Sequence, residues 1–196
     1  WVVSVGGIGY CIRKVSQTLK DKVVPLMGVM SAFIFAAQML NFPVAGGTSG
    51  HFLGGVLAAI LLGPYAAAIV IGVVLTAQCF IFQDGGLTAL GANIFNMSFV
   101  GAMGGYLIYT GIHRLIKGKV GMMISTAIAA WLSVVAASSV CAIELAISGT
   151  SPLNVALPAM VGIHVLIGIG EAIITCLVLS FILKVRPDLI YRKEQT

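Results

Sequence analysis

Phe52–Leu62 (FLGGVLAAILL), followed by Gly63-Pro64 and then Tyr65–Phe82 (YAAAIVIGVVLTAQCFIF), decides how this chain is folded. The run is apolar throughout and too long for one membrane-crossing helix, since about 20 residues span the roughly 30 Å of a bilayer's hydrocarbon. Gly63-Pro64 interrupts it: Pro removes an amide donor and breaks a helix interior, and Gly accepts turn geometry. The stretch therefore reads as two helices joined by a tight turn, the first of them unusually short.

The rest of the chain supports a lipid-solvated fold. Of its 196 residues, 59% are hydrophobic and 9% charged, where a soluble domain carries about 25% charged residues. The mean hydropathy is +1.08. Val23–Leu40, Ala89–Ile112, Met122–Ile147 and Val155–Leu183 are further apolar runs, and none shows the strict alternation of a membrane β-strand. Helices satisfy their own backbone groups, which lipid cannot do. The expectation is an all-α membrane protein, one transmembrane helical domain over residues 1–196. The formal charge of +5 sits in short loops and describes no nucleic-acid surface. Cys11, Cys79, Cys141 and Cys176 lie far apart in apolar runs and read as small buried side chains, without disulfide or metal chemistry.

Basic residues set the topology. They cluster at Arg13, Lys14, Lys20 and Lys22, at Arg114, Lys117 and Lys119, and at Lys184, Arg186, Arg192 and Lys193. Basic loops stay cytoplasmic, and only two crossings across Phe52–Phe82, turning at Gly63-Pro64, put all three clusters on one side. This predicts a bundle of seven crossings, N-terminus outside and C-terminus cytoplasmic, with outer loops at Asn41–Gly50, Gln83–Gly86 and Ser148–Asn154. Phe52–Leu62 would rise only about 16 Å, so its outer end lies deep and Asn41–Gly50 must dip into the membrane. A foreshortened, glycine-interrupted helix is the usual pointer to a transporter site. The first apolar run, Trp1–Cys11, is too short to cross alone, and the chain opens without Met. The expectation is that the native protein has residues ahead of Trp1.

The polar residues inside these spans carry the candidate chemistry. His51 ends the segment Gly46-Gly47-Thr48-Ser49-Gly50-His51, where Thr48 or Ser49 is expected to cap the short helix. An intramembrane imidazole is costly and usually functional, so His51 is the principal candidate ligand. Asp84 lies in the outer turn Gln83-Asp84-Gly85-Gly86. Asn93 and Asn96 share a helix face and serve either to join helices or to face a ligand. His164 and Glu171 share a face of the last crossing. Glu171 is expected to pair with His164 or a backbone group, the alternatives being a protonated carboxyl or an ion path. Glu144 reads as interfacial, and Gly101, Gly104, Gly105, Gly162, Gly168 and Gly170 as close helix contacts.

Two family resemblances follow. Gly47-Thr48-Ser49-Gly50 resembles the GxSG motif of rhomboid intramembrane proteases, with Ser49 as nucleophile and His164 as base. The Trp-Arg loop and HxxxN elements of that family are absent. Asn41–His51, Gln83–Met97 and His164–Ala172 together resemble the CbiM/NikM family, the substrate-binding subunits of energy-coupling-factor cobalt and nickel importers. This second resemblance runs over essentially the whole chain. It implies that His51 ligates Co²⁺ or Ni²⁺, with further ligands from an N-terminal Met-His segment, where this sequence has Trp1-Val2. It also implies a membrane coupling subunit, a cytoplasmic ATPase pair, a small two-helix subunit and a prokaryotic cell membrane. No cofactor or catalytic residue is implied, and the sequence holds no GxxxxGK[ST] phosphate loop. A helix N-terminus beside His51 would repel a cation, an objection that the structure must answer.

Overall fold

The computed structural model describes residues 1–18, 23–44 and 48–191. Gly46, Gly47, Lys20, Lys22, Arg192, Lys193 and the side chain of Thr48, all invoked above, lie outside the described residues.

Helices α1 (Val2–Thr18) and α2 (Val23–Gln38) are followed by an antiparallel hairpin, β1 (Asn41–Val44) and β2 (Thr48–His51). Helix α3 (Gly55–Leu62) and α4 (Pro64–Ala77) come next, α4 running on as a π-helical turn to Phe82. Helix α5 (Gly86–Ile94) continues through a π-helical stretch, Phe95–Gly104, into α6 (Gly105–Leu115). Two long helices close the bundle, α7 (Gly118–Ile147) and α8 (Leu153–Val185). Among the described residues, Pro64–Phe82, Gly118–Ile147 and Leu153–Val185 are long and apolar enough to cross a membrane.

The break at Gly63-Pro64 is real, and its geometry explains both residues. Gly63 has φ +85°, a conformation open to glycine, and Pro64 starts α4, where its missing amide proton costs nothing. Helix α3 is only eight residues long and every one is buried. It is enclosed by the surrounding helices, so it presents apolar side chains in all directions and shows no amphipathic stripe. Leu57 and Ile60 are fully enclosed, and Gly55 lies so close to α6's π-helical approach that a β-carbon there would be 2.9 Å from the Ala102 Cα.

The described basic clusters gather at the Gly63-Pro64 end. Tyr10 meets Tyr65 edge-on at 5.9 Å and Lys14 lies over the Tyr10 ring. Tyr191 donates its amide to Ile60 O at 2.9 Å, packs over Gly63 and meets Tyr106 at 6.3 Å. Tyr109, one turn on, stacks on His113 beside Arg114. On α8, Leu166, Ile169, Ile173, Leu177 and Phe181 are exposed, while Met160, His164, Gly168, Glu171, Thr175 and Leu179 are buried. One face is thus suited to lipid and the other to the bundle. Of the glycines read as contacts, Gly168 seats Trp131 and Gly170 seats Phe52, but Gly162 faces open space. That glycine has no packing partner among the described residues.

Gly55→Val should overpack a contact with backbone, which has no flexible end to yield, at a cost of about 1–3 kcal/mol. Thermal unfolding in detergent should show a lowered midpoint. An unchanged midpoint would contradict the tight α3 contact.

Candidate metal site

The segment between β2 and α3 positions the site. A short antiparallel ladder, Asn41 opposite His51 and Val44 opposite Thr48, satisfies backbone groups that a helical bundle would otherwise leave bare. Val44 at the hairpin's far end is buried with Ala142, Ala156 and Met160, so the hairpin rests on the facing ends of α7 and α8. At its base, the Leu53 peptide is held from two sides. Its amide donates to Glu171 Oε2 at 3.0 Å, and its carbonyl accepts from Gln38 Nε2 at 2.9 Å. The next amide, of Gly54, donates to Glu171 Oε1 at 2.8 Å. Gln38 is 0% exposed and Glu171 3%. Gly54 itself adopts φ +68° with Ile34 against its Cα.

These contacts correct one expectation and decide between the alternatives of another. Ser49 does not cap a helix, because it lies in β2, six residues ahead of the start of α3. The amides of Leu53 and Gly54, just ahead of α3, are taken by the Glu171 carboxylate, supplied from a distant helix. Glu171 therefore pairs with backbone and not with His164. His164 bonds within its own helix, Nδ1 to Met160 O at 2.7 Å. The carboxylate also answers the electrostatic objection, since a negative group on the amides offsets the positive end of α3.

His51 and His164 line one cavity of about 70 Å³, together with Ser49, Asn93, Asn96 and Cys141 among others. His51 Nδ1 lies 3.2 Å from Phe52 O. A carbonyl partner makes Nδ1 the protonated nitrogen and leaves Nε2 with its lone pair. The His164 ring approaches the Gly50 backbone closely: a β-carbon there would be 3.1 Å from His164 Nε2. The Asp84 carboxylate is near enough to act on His51 through its charge. Asn93 packs against Gly85, the residue next to Asp84.

Asn96 fits the helix-joining reading and also reaches the cavity. It joins helices, its Nδ2 donating to Glu144 Oε2 at 2.6 Å, and it lines the cavity. Glu144 is thus no mere interfacial carboxylate. Sequence spacing could not pair residues 48 apart on different helices, although a carboxylate opposite a buried amide was the available signal. Cys141 also reaches the cavity, which its apolar setting in sequence concealed. Among the described residues, no group of three or more His, Cys, Asp or Glu converges as a metal site.

A hairpin-borne imidazole beside a polar cavity, inside a bundle of apolar helices, marks a membrane component that handles a small polar or ionic solute. The family model described as the cobalt uptake substrate-specific transmembrane region, CbiM, matches residues 1–189, and this chain belongs to that family. A relative from Archaeoglobus fulgidus, provisionally named a fused nickel transport protein, NikMN, is 44% identical over 98% of this chain, which spans 63% of that relative's length. A provisionally named metal transport protein of Methanocaldococcus jannaschii is 39% identical over 96% of this chain and 87% of its own. A crystal structure titled as a truncated transition metal transporter superposes with a TM-score of 0.87 at 38% identity, over 93% of this chain and 91% of that one. These relatives are transport proteins and not enzymes. The protease reading of Ser49 and His164 finds no support among them, and Ser49 sits on a strand where that mechanism needs a recessed helix.

Glu171→Leu should leave two amides unpaired, each costing about 1–3 kcal/mol. Glu171→Gln, which keeps one accepting oxygen, should fall between it and wild type. Unfolding midpoints in detergent give the order, and a Leu variant as stable as wild type would contradict the clamp.

Proposed function

We propose that this chain is the metal-recognising membrane subunit of an ATP-driven importer of cobalt or nickel ions, with His51 as its principal ligand. The observation that carries this is the presentation of His51. It stands at the base of a hairpin fixed by Gln38 and Glu171, with Nδ1 engaged and Nε2 left for a ligand. Neutral imidazole suits the later first-row divalent ions. Glu171 lowers the positive potential that the α3 terminus would otherwise impose on the ion. Asp84 adds attraction from the outer turn.

The ion enters from outside and is taken from water by nitrogen donors. The resemblance adds ligands from a Met-His segment ahead of Trp1. Trp1 packs on Gly91, two residues from Asn93 on the cavity wall, and Ser4 Oγ donates to Gly91 O at 2.6 Å. A segment preceding Trp1 would therefore approach the cavity. On this reading the chain is one membrane domain of seven crossings in a prokaryotic cell membrane. The gathered basic residues make the Gly63-Pro64 end cytoplasmic, with the C-terminus inside and the N-terminus outside. Movement of the ion is driven by a membrane coupling subunit and a pair of ATPases, accompanied by a small two-helix subunit. The fused relatives support the association with further subunits.

His51→Ala in the full-length protein should abolish high-affinity Co²⁺ or Ni²⁺ binding and leave the unfolding midpoint within a few degrees of wild type. Wild-type binding should weaken on acidification, because protonated imidazole has no lone pair to give. Equilibrium binding in detergent measures both, and wild-type affinity in His51→Ala would refute the assignment. Single cysteines at 84 and 117, treated in intact cells with an impermeant thiol reagent, should label at 84 alone. Labelling at 117 and not at 84 would invert the topology.

A further inference from the structure

Helix α3 is held at its other end too. The Ile60 carbonyl, in its last turn, accepts the Tyr191 amide at 2.9 Å. Tyr191 belongs to the segment that follows α8. Arg186 ends that helix, Pro187–Leu189 makes a 3₁₀ turn, and the chain is brought to α3. The turn is braced by the Arg186 guanidinium, which donates to both Asp188 carboxylate oxygens. Ile190 packs against both of the larger apolar clusters, the Tyr191 ring lies against Gly63, and its edge meets Tyr106. The Glu171 carboxylate and the Tyr191 amide thus tie the two ends of one short helix to α8 and its continuation.

Between the two ties, α3 is built to move as one piece. Its eight residues are all buried, and they span about 12 Å at 1.5 Å per residue. A glycine in left-handed backbone stands at each end, Gly54 with φ +68° and Gly63 with φ +85°. Hinges are a few such element-terminal residues that absorb large φ/ψ changes. Along its side the helix and its approach meet glycine and alanine: Leu53 lies over Gly101, Gly55 on Ala102 and Val56 against Gly105. Small residues offer no tall ridge to lock an axial register. Beyond the Gly54 hinge, only Leu53 and Phe52 separate α3 from His51. A shift of α3 at Ile60 therefore arrives at the backbone that carries His51.

We infer that Tyr191 is a positioning residue for the metal site, acting through α3 from the opposite end of that helix, and that displacing the Arg186–Tyr191 strap loosens the hold on the ion. The inference rests on the reading that His51 ligates a divalent cation. With the strap in place, α3 is fixed at both ends and the junction that presents His51 has one position. With the strap lifted, Ile60 O loses its donor, the far tie is gone, and α3 is free to shift against its glycine and alanine bed. The strap is within reach of another protein, since Tyr191, Arg186 and Asp188 are all exposed. A membrane coupling subunit that engages this end would favour release without touching the ion.

The test uses the full-length protein in detergent, with Co²⁺ as probe and titration calorimetry as the measure. Tyr191→Pro removes the amide that Ile60 O accepts, whereas Tyr191→Phe keeps both amide and ring. The Pro variant should bind Co²⁺ at least about fivefold more weakly, the lower end of ordinary coupling between sites, and the Phe variant within about twofold of wild type. A folded Tyr191→Pro protein with wild-type affinity would overturn the inference, as would equal weakening in both variants. Coupling is reciprocal, so wild type alone supplies a second readout. Saturating Co²⁺ should slow hydrogen exchange at the Tyr191 amide about fivefold or more, beyond any change at Lys117 and Gly118 in the α6–α7 turn, as read by mass spectrometry. An exchange rate at Tyr191 unmoved by Co²⁺ refutes the coupling, whether or not the Pro variant folds. Should wild type bind Co²⁺ with both readouts unmoved, this inference falls and the function proposed above stands. Should wild type bind no Co²⁺, both fall.

Discussion

The Leu53–Gly54 backbone, gripped by Glu171 from α8 and Gln38 from α2, is the constraint on which the rest of the structure depends. Here the chain leaves a strand and enters a helix within a few residues, inside an apolar bundle. Two amides and a carbonyl would be stranded there without partners. Glu171 takes both amides and Gln38 supplies the donor for the carbonyl. Because both side chains are buried on different helices, the junction can occupy only one position. The hairpin ahead of it and α3 behind it are both located by that junction.

The same carboxylate links fold to electrostatics. Helix α3 is short and enclosed, so its positive end is poorly screened and points toward the site. A cation would be disfavoured there unless a negative group met the amides first. Glu171 does so from inside the bundle, through the amides of Leu53 and Gly54. The apolar core around α3, with Leu57 and Ile60 fully enclosed, excludes water from the far side of the junction. The polar cavity is thus set against a dry wall.

Much of this was legible from the sequence. Gly63-Pro64 gave the α3–α4 break because both residues have strict backbone requirements. Basic residues predicted a common end, near which Lys14 lies over Tyr10 and Tyr191 packs over Gly63. The intramembrane cost of polar groups pointed to His51, Asn96, His164 and Glu171. What spacing could not show was which of these groups meet. His164 and Glu171 share a helix face at nearly two turns, and proximity on one helix suggested a pair. Instead, each found a partner set by tertiary packing or by its own turn, Glu171 across 117 and 118 residues of sequence. The hairpin was hidden for a related reason. Gly46–His51 reads as a helix entry by its small polar residues, and β2 forms because β1 is folded alongside it, a long-range choice that local propensity does not report.

The most direct test of the account is the position of the ion itself. Crystals of the full-length protein loaded with Co²⁺, measured at the cobalt absorption edge, give an anomalous peak that needs no assumption about ligands. The account predicts a single strong peak in the cavity between β2, α5 and α8, within about 2.0–2.3 Å of His51 Nε2, a metal–imidazole distance. A peak elsewhere in the bundle, with His51 Nε2 uncoordinated, would contradict it.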